Sequence, residues 1–311
     1  MKGKLRNNIA KLGPFIGLIL MIILLAIFND NFLTTNNILN LLRQISINAL
    51  IAFGMTFVIL TAGIDLSVGS MLALGSALTA GMLTSGMDPI LAICLGLFLG
   101  LVLGAINGII ITKGKVAPFI ATLATMTIFR GATLVYTDGK PITGLSDSTA
   151  FEMIGKGYFF WIPVPVIFMI IVFIILYFVL NNTVFGRRVY AVGGNEEAAT
   201  LSGIKTDNVK IWVYALTGML SVLAGIILMS RLNSAQPTAG TTYELDAIAA
   251  VVIGGTSLMG GRGRITGTLI GCLIIGVISN GLNLLNVSSF YQQIVKGAVI
   301  LFAVLLDRRS N

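Results

Sequence analysis

Runs of about twenty apolar residues, separated by short polar intervals, recur along the whole chain. At 1.5 Å per residue, a helix of that length crosses a hydrocarbon core of ~30 Å. The pattern predicts spans at 12–28, 43–61, 67–85, 89–112, 117–136, 161–180, 211–230, 244–259, 265–282 and 289–306. Those at 43–61, 67–85 and 244–259 are weak and rich in Gly, Thr and Ser; fewer full crossings follow if some are re-entrant or broken. Two polar intervals are long. One follows 136 and holds Asp138, Lys140, Asp147, Glu152 and Lys156; the other is 186–204. The fold class is an all-α, polytopic membrane helical bundle of about ten transmembrane helices, with 1–311 as one transmembrane domain.

Composition agrees. Hydrophobic residues make up 56% and charged residues 10%, against about 25% charged in a soluble domain. The 36 glycines suit close packing between membrane helices. The net charge of +8 sits at the ends of apolar runs with no basic stripe interleaved with aromatics, which excludes nucleic acid as a partner. With both termini cytoplasmic, the inner segments collect Lys113, Lys115, Arg187, Arg188, Lys205, Lys210, Arg262, Arg264 and the basic ends of the chain, while the outer side is close to neutral. This is the positive-inside asymmetry. The start, MKGKLRNNIAK, is like the n-region of a signal peptide, but no small-x-small cleavage site precedes Asn29-Asp30. It reads as a retained first span.

Several chemistries are excluded. The chain has no histidine, hence no Ser/His/Asp set, and no metal-ligand spacing. Cys94 and Cys272 lie deep in apolar runs and read as small buried hydrophobes. There is no G-x-x-x-x-G-K-[ST], so the chain has no P-loop for ATP. An enzyme is not expected.

The interval 186–204, GRRVYAVGGNEEAATLSGI, carries the clearest local signals. Arg187 and Arg188 head it, and a Gly193-Gly194 turn is expected. A short helix follows, with Asn195 as N-cap, Glu196 and Glu197 in the first turn facing the helix dipole, and Gly203 closing it. Ala198 and Ala199 give this helix a low-profile face on which another surface can sit closely. Taken alone, it is also what an ordinary capped loop helix looks like.

The run Glu197-Ala198-Ala199-x-x-x-Gly203 resembles the E-A-A-x-x-x-G signature in the cytoplasmic loop of ATP-binding cassette (ABC) importer permeases. The segments AGIDLSVGS (62–70), KVAPFIATLATMTIFRG (115–131), GRRVYAVGGNEEAATLSGI (186–204) and AIAAVVIGGTSLMGGRGRITGTLIG (247–271) are similar to the permease family of ribose, xylose, arabinose and galactose importers. The likeness covers nearly the whole chain and is strongest to the ribose members. It implies a permease subunit in the plasma or inner membrane that moves ribose or a related monosaccharide. It implies a second copy forming a homodimer and an extracellular sugar-binding protein. It also implies a cytoplasmic ATPase with two nucleotide-binding halves, which holds the ATP and Mg; this chain binds no cofactor. Gly186, Arg187, Asn195, Glu197, Ala198, Ala199 and Gly203 become the ATPase-coupling residues. The alternative is an ion-coupled secondary sugar transporter, for which Asp65 is the one acid near the middle of an apolar region.

Asp65 has two readings: a place on the sugar path, or a cap in which Asp65 or Ser67 starts the 67–85 span at the inner edge. The second is favoured. Asn48, Thr56, Thr61, Asp65, Thr122 and Thr125 are the candidate substrate path. The neutral ones among them suit an uncharged sugar, though interhelical hydrogen bonds of ~0.6 kcal/mol each account for single residues as well. At least one ion pair is expected among Arg130, Lys296, Glu244 and Asp246. Arg231, Gln236 and Glu244, before the 244–259 span, are expected to meet the extracellular binding protein. Gly260-Gly261-Arg262-Gly263-Arg264 reads as a tight basic turn rather than a phosphate cradle. Lastly, GMTFVILTAGIDLSVGSMLALGSAL echoes AIAAVVIGGTSLMGGRGRITGTLIG: an apolar span, a break, then a small-residue span.

Overall fold

The computed structural model describes residues 2–145 and 149–310, without the side chains of the first thirteen residues and of several near the C-terminus. Asp147, Asp307 and the basic side chains of both ends lie outside the described residues. Among the described residues, six helices are long and apolar enough to cross a membrane: α2 (Thr35–Leu60), α4 (Pro89–Thr112), α5 (Pro118–Thr137), α7 (Val164–Asn182), α10 (Thr206–Leu232) and α12 (Ile265–Leu284). Around them stand α1 (Lys2–Phe28), α3 (Val68–Thr84), α11 (Tyr243–Ile253) and α13 (Ser289–Ser310). Each span expected from the hydropathy pattern coincides with a helix. The chain is a polytopic helical bundle.

α2 and α10 form the centre, buried along most of their length. Close approach is achieved by glycine. On α4, Gly96, Gly100, Gly104 and Gly108 recur every fourth residue, on one face of the helix. A Cβ on Gly100 would lie 2.7 Å from the Gly218 carbonyl oxygen of α10, and one on Gly108 would lie 2.6 Å from Ile211 Cα. Without those methyls the two backbones touch, which is how helices associate where hydrophobic burial gives no net driving force.

Three expectations need correction. First, α2 starts at Thr35 rather than 43. Its polar first turns do not end the helix because their side chains are satisfied: Asn37 donates to the Phe32 carbonyl (2.8 Å) and exchanges hydrogen bonds with Asn280 of α12 (3.0 and 2.8 Å). Second, α7 starts at Val164 rather than 161, since Pro163 and Pro165 fix the entry and 158–163 forms a hairpin of β2 (Tyr158–Phe159) and β3 (Ile162–Pro163). The described part of the interval before it carries regular structure. β1 (Ile142–Thr143) pairs antiparallel with β4 (Ser234–Ala235), and α6 (Thr149–Lys156) lies over the end of α10. There Ser230 Oγ donates to the Phe151 carbonyl (2.6 Å) and accepts from the Gly155 amide (2.9 Å). Third, α11 has only 11 residues, about 16 Å of helix, half a hydrocarbon core.

The internal echo is structural. α2 ends with Ala62 in the left-handed region (φ 58°); the Gly63 amide reaches back to the Val58 carbonyl (3.0 Å) and the Ala62 amide to Ile59 (2.9 Å). α11 ends with Gly255 likewise left-handed (φ 86°); the Thr256 amide reaches back to Val251 (3.2 Å) and the Gly255 amide to Val252 (2.9 Å). Both are the Schellman closure, and each leads through a loop into the next helix. The loop after the second closure packs on the end of α2: the Gly261 amide donates to the Leu60 carbonyl at 3.0 Å.

Candidate functional site

The segment between α7 and α10 folds into two helices: α8 (Val184–Gly194) and α9 (Glu196–Leu201). Thr183 caps α8, its hydroxyl accepting from the Gly186 amide (3.2 Å). Asn195, in an extended conformation (φ −161°), breaks the two apart and caps α9, its side chain accepting from the Ala198 amide at 2.9 Å. Gly203 closes α9 at φ +83°, with the Ile204 amide on the Ala199 carbonyl (3.0 Å) and the Gly203 amide on Thr200 (2.9 Å). The capping residues read from the sequence are therefore in place. Salt bridges hold the short helix to its surroundings: Lys210 of α10 with Glu196 (2.6 Å), and nearby Lys113 with Asp207 (2.7 Å).

Two details differ from expectation. Gly193 and Gly194 are not a turn but the last residues of α8. The reason is contact: a Cβ on Gly193 would collide with the Leu60 carbonyl oxygen and lie 2.6 Å from the Gly261 amide nitrogen, whereas Gly194 faces open space. Nor do Ala198 and Ala199 form one face. They are 100° apart on the helix, so Ala198 is exposed while Ala199 is buried against its own chain. The outward face is Glu197, Ala198 and Leu201, and Leu201 is 84% exposed. Sequence reasoning missed Leu201, though an isolated leucine on an otherwise polar helix was the available signal. Arg187 is exposed, and Gly186 is buried where a Cβ would meet the Leu180 carbonyl. A cleft of about 440 Å³ opens beside α9, between Thr200, Gly203 and Lys113.

At the seam of α2, α8 and the 254–264 loop, Tyr190 donates its hydroxyl to the Gly263 carbonyl (2.9 Å). Burial pushes this phenol above the usual tyrosine range, which nearby Arg264 partly offsets, so it remains a neutral donor at physiological pH. The seam thus ties α8 to the end of α2 and to the loop between α11 and α12. The Gly260–Arg264 run is part of this turn.

The candidate path residues do not gather into one lining. Thr56 is buried, donates to the Ala52 carbonyl and bonds Thr268 of α12 (2.8 Å), an interhelical contact. Thr61 bonds the Val58 carbonyl, Thr125 bonds the Thr122 carbonyl, and Asn48 is half-buried. Thr122 approaches the loop that holds Asp65, through the neighbouring Ile64 carbonyl rather than through Asp65 itself. Thr122 donates to the Pro118 carbonyl (2.8 Å), with the Ile64 carbonyl at 3.3 Å. Of the two expected caps of α3, Ser67 is not one, since it already has helical dihedrals and its side chain caps nothing; Asp65 is, taking the backbone amide two residues on at the entrance of the helix. Asp65 Oδ1 accepts from the Ser67 amide (2.9 Å) and hydroxyl (2.6 Å), while Asn107 Nδ2 donates to Ser67 Oγ (2.7 Å). The group is fully buried, and Asp65 Oδ2 and Asn107 Oδ1 have no hydrogen-bond partner.

The expected ion pair exists: Lys296 with Asp246 at 2.7 Å. Arg130 instead donates Nη1 to the Pro237 (2.6 Å) and Ala239 (2.9 Å) carbonyls. Glu244 is half-buried. Its carboxylate lies against Gly69 in the first turn of α3, because the 236–242 segment runs inward beside that helix. Arg231 and Gln236 are half-buried under the β1–β4 pair and α6, with Gln236 donating to Ser234 Oγ (3.1 Å).

Comparison with known proteins places this geometry. The family model described as "Branched-chain amino acid transport system / permease component" matches residues 37–304. Among curated proteins, the ribose import permease protein RbsC of Bacillus subtilis (strain 168) is 68% identical over 97% of this chain and 94% of its own length. The protein of the same name from Escherichia coli (strain K12) is 53% identical over 95% and 93%. The D-allose transport system permease protein AlsC of Escherichia coli (strain K12) is 45% identical over 96% and 91%. No solved structure matches the chain. With six apolar helices and a match over most of its length, the chain is a multi-pass membrane protein that belongs to this family of transport-system permease components.

Proposed function

We propose that the chain is the transmembrane subunit of an ATP-binding cassette importer that carries ribose, or a closely related monosaccharide, across the cell membrane. The observation that carries this reading is the 68% identity to a ribose import permease over 97% of the chain. The exposed, doubly capped α9 supports it as the element a motor would grip. In this reading residues 1–311 form one permease domain with both termini and α8–α9 in the cytoplasm, and the ten apolar helices line or cross the membrane. Two copies enclose the pathway. An ATPase with two nucleotide-binding halves docks on Glu197, Ala198 and Leu201 with Arg187 beside them, and holds the ATP and Mg. An extracellular binding protein delivers the sugar. Asn195, Ala199, Gly186 and Gly203 act by shaping α8 and α9 rather than by touching the motor.

Motor closure pushes α9, and α8 passes the displacement to the seam where Gly193 meets Leu60 and Gly261. From there it reaches α2 and the α11–α12 pair as a rigid-body shift. A second reading, ion-coupled transport, draws on the unpartnered Asp65 Oδ2. Uptake of D-ribose by proteoliposomes holding permease, ATPase and binding protein separates the two. Internal ATP drives uptake in the first reading and a protonophore leaves it intact; collapse with the protonophore and indifference to ATP establishes the second.

A further inference from the structure

A cleft of about 400 Å³ opens between α5, the first turn of α3 and the segment leading into α11. Its polar lining is Ser70, Thr127, Arg130, Thr241 and Glu244, with Met126 and Leu134 as apolar wall and Gly131 at its edge. We propose that this cleft is a neutral monosaccharide site within the membrane-spanning part of the bundle; the proposal rests on the sugar-import reading and names where the sugar sits.

Depth comes first. Arg130 is about 18 Å from one end of α5 and about 10 Å from the other, at 1.5 Å per residue. The short helices α3 and α11 both begin here, with Gly69 against the backbone of Gly240. Substrate sites in transporters favour this place, where discontinuous helices start near the bilayer midplane.

Lipid is a poor occupant. Elsewhere α5 shows Phe119, Ile120, Ile128 and Val135 to its surroundings. A guanidinium and a carboxylate facing hydrocarbon in the open cleft would be costly, so a polar occupant is implied. Arg130 and Glu244 oppose each other in charge, which leaves the cleft neutral overall and suited to an uncharged ligand.

The hydrogen-bond inventory fits a polyol. Ser70, Thr127 and Thr241 commit their hydroxyl hydrogens to the Ser67 (2.8 Å), Leu123 (3.2 Å) and Thr238 (2.7 Å) carbonyls. Their oxygen lone pairs remain as acceptors, Glu244 adds two acceptor oxygens, and Arg130 supplies donors. Pro237 and Ala239 hold the guanidinium in one orientation. Met126 and Leu134 suit the C–H face of a sugar ring, and the volume is in the range of small-ligand sites.

The test uses the full transporter in proteoliposomes, in a Cys94→Ala, Cys272→Ala background. Gly131→Cys is the probe variant, since nothing lies within 4 Å of a Cβ there, and Ile128→Cys on the neighbouring face of α5 is the control. Thr127→Cys serves if Gly131→Cys does not assemble. A charged, membrane-impermeant methanethiosulfonate reagent should label the cleft cysteine about tenfold faster than Ile128→Cys. D-ribose delivered with ATP should slow that labelling at least threefold. Thr127→Val and Thr241→Val should each lower ribose uptake about tenfold. A transporter that accumulates ribose while the cleft cysteine labels no faster than the control, or gains no protection from ribose, overturns the site and leaves the importer reading standing. A Cys94→Ala, Cys272→Ala parent that moves no ribose with ATPase, binding protein and ATP overturns both.

Discussion

Replacing Gly193 by alanine, with Gly194→Ala as its internal control, perturbs the seam between the motor-facing helices and the bundle. The two glycines are neighbours at the end of α8, both in helical backbone, and alanine is the better helix former by about 1 kcal/mol at each. Gly194 has open space, so Gly194→Ala should be neutral or stabilising. At Gly193 the new methyl would overlap the Leu60 carbonyl oxygen and crowd the Gly261 amide, both of them backbone atoms. No rotamer relieves that; α8 has to back away. Overpacking of this kind costs about 1–3 kcal/mol, and loss of the Gly261–Leu60 hydrogen bond (3.0 Å) costs about 1 kcal/mol more. Against the roughly 1 kcal/mol of helix propensity, the net is about 1–3 kcal/mol. That corresponds to about 5- to 150-fold in any equilibrium that requires the seam closed. The assay is paired: thermal inactivation of purified permease, and ribose taken up per ATP hydrolysed in proteoliposomes. Gly193→Ala should lower both and Gly194→Ala neither. Equal behaviour of the two variants would refute the claim that α8 bears on α2 through this contact.

Lys296→Ala should destabilise the bundle by about 3–5 kcal/mol because it leaves the buried Asp246 carboxylate unpaired; the double variant Lys296→Met/Asp246→Leu should recover much of the loss in a thermal melt. Gly203→Ala should cost about 1 kcal/mol, since only glycine takes φ +83° without strain, and Gly203→Asn should cost less; proteolytic nicking of the loop reports it. Thr56→Val should lower the melting temperature while leaving the KM for ribose unchanged, as its hydroxyl bonds Thr268 rather than a pathway. A raised KM there would return Thr56 to the sugar path.

What could be read in advance was local. The caps of α9 were legible because Asn195 and Gly203 act within a few residues, by hydrogen bonding and by backbone sign. The six long apolar helices were legible because hydrocarbon thickness sets their length. Distant contacts were not. Gly193 looks like a turn residue in the sequence and is instead a place where two backbones meet. The 236–242 segment carries no periodicity, so nothing in it announced that Glu244 would lie beside Gly69. The same blindness separated Ala198 from Ala199: which of two adjacent alanines faces outward depends on how α9 docks, and that is set by Lys210 and Glu196 across 14 residues. The candidate lining failed for a related reason. Buried threonines in membrane helices first satisfy their hydroxyls on carbonyls four residues back, as Thr56, Thr122 and Thr133 do.

The central claim is that a separate motor moves this permease through the outward face of α9. Ala198→Trp tests it most directly, because Ala198 is exposed and the bundle has room for the larger side chain. The measurement is the affinity of purified ATPase for reconstituted permease. The account predicts at least tenfold weaker binding and loss of ATP-driven ribose uptake, with unchanged thermal unfolding of the permease; wild-type affinity together with wild-type uptake would contradict it.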